Sequence, residues 1–298
     1  MSGAAVRGAG LVLASFGRGA LVQSGETTMY CRLTGRKLRL VCGDRIAWQH
    51  LAAADGPAVH AVDARRNVIE RIDARGRAEP VAANIDRLAI VVAPEPAPDW
   101  SLVDRYWAGA LQKNIAAMLI VNKLDLGTAP LEAELAVYRG LQLPCAAVAC
   151  RTDAGIGALG CALAGSVTLL VGQSGAGKSS LINALVPQAA AQTAELTRDA
   201  AGRHTTTTAR WYRVPPDGAI IDAPGVRDFA PPAHYMRAAE RGFLEIHALS
   251  AACRFNDCRH FDEPGCAVRA GVTARRIAAR RYESYRRLAR LYEEFSSH

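Results

Sequence analysis

The octet GQSGAGKS, Gly172 to Ser179, holds the residue types that cradle a polyphosphate. Gly172, Gly175 and Gly177 let the backbone bend until successive N–H groups, those of Gln173, Ser174 and Ala176 among them, point at one phosphate. Lys178 brings a cation to the β- and γ-phosphates, Ser179 a hydroxyl to Mg²⁺, and Ser180 continues the helix start at the phosphates. A second stretch, IIDAPG, ends at Gly225. Asp222 can hold the Mg²⁺ shell through water, and the N–H of Gly225 can sense the γ-phosphate. Between the two lies GRHTTTT, Gly202 to Thr208. One hydroxyl of such a loop completes the Mg²⁺ shell, and Thr205, Thr206 and Thr207 are three candidates that spacing does not separate.

A third stretch, LIVNKLDLG, offers a reader for the base. Asp125 can accept from both N1–H and N2–H of guanine, a pairing adenine cannot make. Asn122 can reach the edge of the base, and the Lys123 stem can cover its face. VACRTDAG, Val148 to Gly155, stands where a further base-contacting loop belongs, with backbone groups of Ala149 and Cys150 near O6. The ligand is then GTP or GDP. The reader precedes the phosphate loop by about fifty residues, the reverse of the usual order. A sheet places its binding loops in space and not in sequence. Joining the old termini and opening the chain elsewhere rebuilds the same site, so the order implies a circular permutation.

CRFNDCRHFDEPGC supplies Cys253, Cys258, His260 and Cys266. Three thiolates and one imidazole match a closed, tetrahedral, structural zinc site with no open position for catalysis. The other thiols, Cys31, Cys42, Cys145, Cys150 and Cys161, are expected to be small buried hydrophobes. Thiols grouped for metal beside a nucleotide site point to a reducing cytoplasm.

Three kinds of scaffold must position these residues. Up to about residue 80, GLVLASFG, GALVQS, TMYCRL and DRIAWQ read as short strands of a small barrel, basic through Arg32, Arg36, Lys37, Arg39 and Arg45. An OB-type barrel that binds RNA is the functional reading. From Ile85 the texture turns α/β. RLAIVVA, AMLIVNK, CAAVAC, VTLLVG and GAIIDAPG read as strands, and the segments from Trp100 to Asn114 and EAELAVYRGL as helices. That alternation predicts a mostly parallel sheet. Beyond Pro231 the chain is helical around the Cys/His knot. The last helix, near Thr273 to Phe295, carries Ala278, Tyr282, Tyr285, Ala289, Tyr292 and Phe295 on one stripe. Arg275, Arg276, Arg280, Arg281, Arg286, Arg287 and Arg290 fill much of the rest and read as a phosphate-contacting arm. The expected domains are 1–80, an OB-fold RNA-binding unit; 81–231, a circularly permuted P-loop GTPase; and 232–298, a helical zinc-binding unit.

The net charge of +8, nearly all of it from arginine, suits a polyanionic partner. No apolar run reaches the length of a membrane span. A metabolic ATP-dependent kinase is disfavoured by NKLD. An inactive scaffold is disfavoured by intact Lys178, Ser179 and Asp222.

Taken together, these motifs resemble the circularly permuted, small-ribosomal-subunit-dependent GTPase family (RsgA) over almost the full length. AANIDRLAIVVA and CRFNDCRHFDEPGCAVR also look like that family. The resemblance implies late maturation of the small (30S) subunit, contact with its rRNA, hydrolysis stimulated by the subunit, one Zn²⁺, Mg²⁺ with GTP, and a monomer in the cytoplasm. One departure from Ras-like enzymes bears on mechanism. Val226 follows the DAPG glycine where those enzymes carry a water-orienting Gln, and an apolar side chain cannot position water. The resemblance suggests His204 as the substitute, so the expected catalytic set is His204, Lys178 and, of the three threonines, Thr206.

Overall fold

Short strands pairing with near neighbours open the chain. The computed structural model describes residues 6–34, 38–50, 56–72, 78–187, 189, 208–223 and 236–296. Five strands, β1 (Arg7–Ser15), β2 (Gly19–Ser24), β3 (Thr27–Leu33), β4 (Arg45–His50) and β5 (Pro57–Val62), close a barrel in the order β1-β2-β3-β5-β4. Its neighbours are antiparallel except β3 and β5, which run parallel. That is an OB-type barrel. Alternation turns Val12, Val22, Cys31, Ile46 and Val59 into one shared core. β5, PAVHAV, adds to the strands read from sequence; its alanines carry little strand propensity of their own. Asp44 pins the barrel's connection. It is fully buried and is gripped by Arg65 through Nε (2.7 Å) and Nη2 (2.8 Å), while Val41 N–H donates to it at 2.8 Å.

The chain divides into two compact units that interleave along the sequence. One takes Met1–Asp86, Gly155–Val171 and Lys178–Asp228; the other takes Arg87–Ala154, Gly172–Gly177 and Phe229–His298. Beside the barrel, the first unit holds the antiparallel pair β6 (Val68–Ile72) and β7 (Ala78–Ala83). It also holds β11 (Val167–Val171) and β13 (Gly218–Asp222), which run parallel, and β12 (Arg210–Val214), antiparallel to β13. Among the described residues it also holds the helices α3 (Ile156–Leu163) and α4 (Lys178–Leu185).

In the second unit β8 (Arg87–Val92), β9 (Ala116–Val121) and β10 (Cys145–Ala147) form parallel neighbours, with α1 (Trp100–Gln112) and α2 (Glu132–Gly140) as crossovers. β8 buries five successive residues, as a strand covered on both faces must. Asp99 caps α1, accepting from Ser101 N and Leu102 N. The C-terminal helices α5 (Met236–Arg241), α6 (Leu244–Ser250), α7 (Ala267–Thr273) and α8 (Ala279–Ser296) pack around Phe243, Ile246, Val268, Tyr285 and Tyr292.

α8 corrects the reading of its arginines and its start. It begins at Ala279 rather than near Thr273, where α7 ends. Arg281 is fully buried, although it lies off the expected apolar stripe. Its guanidinium binds Asp104 of α1 (2.7 Å) and both oxygens of Glu245 on α6. Its Cζ lies 4.9 Å from the ring centres of Trp107 and Phe243. Arg280 binds Asp104 (2.6 Å) and Glu134 (2.7 Å). Neither faces phosphate; they neutralise a buried carboxylate. Arg275, Arg276, Arg287 and Arg290 are exposed.

Arg281→Ala leaves Asp104 and Glu245 facing a cavity with less positive charge. The expected loss is about 3–5 kcal/mol of unfolding free energy in a denaturant titration, against less than ~0.5 kcal/mol for Arg287→Ala. Equal stability of the two variants would refute the structural role.

Candidate nucleotide site and metal centre

Asn122 stands at the end of β9, where the backbone leaves the sheet. It is 2% exposed, and its side-chain amide is saturated. Nδ2 donates to Ala176 O (3.1 Å) and Gly177 O (3.4 Å) of the phosphate loop. Oδ1 accepts from Lys123 N (2.8 Å) and from the Cys150 thiol (3.3 Å). Two donors and two lone pairs are thus all used. The amide joins three segments: the end of β9, the phosphate loop and the loop that carries Cys150. The physical reason is burial: an amide this deep must satisfy every group it carries.

This contact brings the base reader and the glycine run of the phosphate loop together within one unit. Gly177 has φ +90°, and a Cβ there would collide with Asn122 Nδ2; Gly172 has φ +142°, and a Cβ there would collide with Val91 O. Only glycine fits either position. Lys123 is left-handed (φ 60°), and its Nζ donates to Glu95 O at 2.7 Å. Asp125 lies in a short 3-10 turn, Leu124–Leu126, with its side chain partly exposed. Ala149 is buried, and its N–H donates to Ala154 O (2.9 Å). The Ala149 backbone therefore shapes its own loop.

Two groups here had no signal as motifs. Arg151 Nη1 stands 3.6 Å from Asp125 Oδ2. The segment from Glu95 to Asp99 braces both halves of this region. Gln173 Nε2 donates to Pro96 O and Ala97 O at 2.9 Å each, and Gln173 Oε1 accepts from Asp99 N at 2.8 Å. From its place in the octet Gln173 is expected to act through its backbone N–H; its side chain is also a clamp. EPAPD matches no nucleotide motif, so tertiary contact was needed to find it.

In the other unit, Lys178 begins α4 and Asp222 ends β13. Burial pushes the Asp222 carboxyl above its ordinary range, and the charges of Lys178 and Arg210 pull it back in part. Ser174, Ser179 and Ser180 are exposed. His204, Thr205, Thr206, Thr207 and Gly225, with Val226, lie outside the described residues.

Cys253, Cys258, His260 and Cys266 come together as the spacing implied, their ligand atoms all within 4.8 Å of one another. Cys253 Sγ and Cys266 Sγ are 4.0 Å apart, and each is 3.5 Å from His260 Nδ1. A tetrahedron with metal–sulfur bonds of about 2.3 Å has edges of about 3.5–3.8 Å, so the cluster can hold a metal ion. Glu240 stands beside it. Burial raises its carboxyl, but the polar side chains of His260, Ser250 and His247 around it prevail and hold it down at about 2. Of the remaining thiols, Cys31 and Cys42 are buried as expected. Cys145 and Cys161 are exposed, and Cys150 is half-buried at Asn122. These three correct the expectation: a lone thiol carries too little apolar surface to require burial.

The family described as RsgA GTPase matches residues 62–231. A protein of Azotobacter vinelandii called "Small ribosomal subunit biogenesis GTPase RsgA" is 41% identical over 94% of this chain and 84% of its own length.

The chain belongs to the RsgA GTPase family.

An RsgA of Pseudomonas syringae pv. syringae is 42% identical over 93% of this chain and 83% of its own. Among solved structures, YjeQ from Thermotoga maritima superposes with a TM-score of 0.73 at 26% identity, covering 98% of this chain and all of that one. YloQ, described as a circularly permuted GTPase, gives 0.71 at 20% identity over 97% of this chain and 96% of its own, a likeness of fold. The reversed motif order of this RsgA-family chain is thus a property of its fold, and the chain is a GTP-hydrolysing enzyme.

The Gln173 clamp makes a prediction. Gln173→Ala removes three hydrogen bonds while leaving every backbone N–H of the loop in the sequence. Titration with a fluorescent GDP analogue is expected to show about tenfold weaker binding, the equivalent of about 1.4 kcal/mol. Unchanged affinity would mean that the loop holds its shape without the clamp.

Proposed function

We propose that this chain acts in late maturation of the small (30S) ribosomal subunit, binds its rRNA, and hydrolyses GTP faster on that subunit. Support comes from the names of its relatives, from a basic chain, and above all from the Asn122 amide. That amide sets a guanine reader against a phosphate loop despite their order in sequence.

In this proposal Asp125 reads guanine N1–H and N2–H, the Lys123 stem covers the base, and Cys150 lines the same loop. Gly172, Gln173, Ser174, Gly175, Ala176 and Gly177 offer backbone N–H groups to the β-phosphate. The peptide bond from Gly177 to Lys178 continues that cradle into Lys178, Ser179 and Ser180. Ser179 and Asp222 hold Mg²⁺, Asp222 through water, with Thr206 closing the shell and Gly225 sensing the γ-phosphate. His204 orients the attacking water. Zn²⁺ is the ion for the Cys/His cluster. Residues 1–80 and 232–298, which flank the GTPase domain 81–231 in sequence, grip rRNA, with exposed Arg275, Arg276, Arg287 and Arg290 binding phosphates. The protein works as a cytoplasmic monomer; no helix among the described residues is long and apolar enough to cross a membrane.

The deciding assay is phosphate release from GTP by the purified protein with and without small subunits. Wild type is expected to speed up when subunits are added, and His204→Ala to lose most of that gain while still binding GTP. No stimulation of wild type would overturn the ribosomal reading. An unchanged stimulated rate in the variant would remove His204 from the mechanism.

Asp222 makes a second prediction, with opposite effects on stability and binding. A carboxyl raised in the folded state destabilises the fold when ionised, and stability returns as pH falls through its folded value. Asp222→Asn is therefore expected to keep or raise the thermal midpoint without nucleotide, and to weaken Mg²⁺-dependent GTP binding at least about tenfold. A lower midpoint would show that attraction to Lys178 and Arg210 outweighs burial.

A further inference from the structure

We infer that Glu240 is a positioning residue for the metal centre: its carboxylate faces the outer nitrogen of His260 and holds the ring so that Nδ1 meets the ion. The inference rests on the metal reading of Cys253, Cys258, His260 and Cys266. The ring's direction is the first observation. Nδ1 lies 3.5 Å from both Cys253 Sγ and Cys266 Sγ, so Nδ1 belongs to the ligand cluster. Nε2 points away from it. Nε2 is buried and has no hydrogen-bond partner within normal reach. The group it faces is Glu240 Oε2, at 3.6 Å.

The chemistry asks for such a group. A neutral imidazole can bind a metal through Nδ1 only if its proton sits on Nε2. A carboxylate that accepts from Nε2–H selects that tautomer, fixes the ring plane and makes the ligand nitrogen more basic. Closing 3.6 Å to a hydrogen bond takes about half an ångström.

Glu240 is itself held. Its Oε1 pairs with His247 Nδ1 at 2.9 Å, which links α5 to α6 behind the cluster. That pair alone does not account for the placement. His247 is more than half exposed, and exposed ion pairs contribute little, so nothing in it requires the second oxygen to lie against His260. The neighbouring acid Glu263 serves a different end. Its oxygens accept from the backbone N–H groups of Arg259, Phe261 and Asp262, and so shape the loop between the ligands. A cavity of about 240 Å³, lined by Glu240, His247, Cys253, Cys258 and His260, opens on this side of the cluster. It gives an ion or a chelator a way to the ligands past Glu240.

The test uses the full-length, zinc-loaded protein and a chromophoric zinc chelator in excess. Glu240→Ala is expected to release zinc about 10–100-fold faster than wild type. Glu240→Gln should fall between them, since its amide oxygen still accepts but carries no charge. Asp257→Asn, an exposed acid in the same loop, should match wild type. Cadmium-113 substitution with ¹⁵N-labelled histidine gives a second readout: scalar coupling is expected to Nδ1 of His260. Coupling to Nε2 would overturn the inference, as would wild-type release rates in Glu240→Ala. If the alanine variant does not fold, the near-isosteric Gln variant decides: faster release supports the role, and an unchanged rate ends it. A wild-type protein that retains no zinc would instead overturn the metal reading beneath.

Discussion

The second compact unit depends on one amide. Asn122 is buried at the end of a strand and spends both donors on the carbonyls of Ala176 and Gly177, and both lone pairs on Lys123 N and the Cys150 thiol. A buried amide with four filled positions has a single low-energy arrangement. It therefore specifies where the phosphate loop's glycines lie relative to the base reader. Those glycines answer the constraint, because Gly177 touches Asn122 so closely that no side chain could fit. The covalent distance between the two motifs becomes irrelevant, which is why a permuted chain can keep the site.

The same economy holds around the C-terminal helices. Asp104 is a fully buried carboxylate on α1, and two arginines from α8 converge on it. A buried charge is tolerable only when paired and fully hydrogen-bonded, so α8 has one register against α1. Aromatic rings from Trp107, Tyr138 and Phe243 surround the guanidinium of Arg281 and add to its fit. The helix is consequently a structural member on one side and a charged surface on the other. Its arginines divide between the two roles according to which face they occupy.

Local pattern carried most of the architecture. The barrel strands, the apolar runs of β8, β9 and β11, and the helices at Trp100 and Glu132 could be read because their period or composition has a single cheap solution. The Cys/His cluster could be read because its residue types and spacing are rare outside metal sites. Cys145 and Cys161 could not, since a lone thiol suits a surface as well as a core.

What sequence alone determined is the inventory: a phosphate loop, a guanine reader placed ahead of it, a Cys/His quartet and a barrel, each marked by residues whose chemistry allows few other uses. What only the tertiary structure decided is how side chains divide their work. Asn122 ties the phosphate loop to the end of β9, Gln173 became a clamp on the segment from Glu95 to Asp99, and Arg280 and Arg281 went inward to Asp104. The physical reason is common to all three. Whether a polar group meets solvent, ligand or protein depends on which groups burial leaves unsatisfied nearby, and distant parts of the chain supply them.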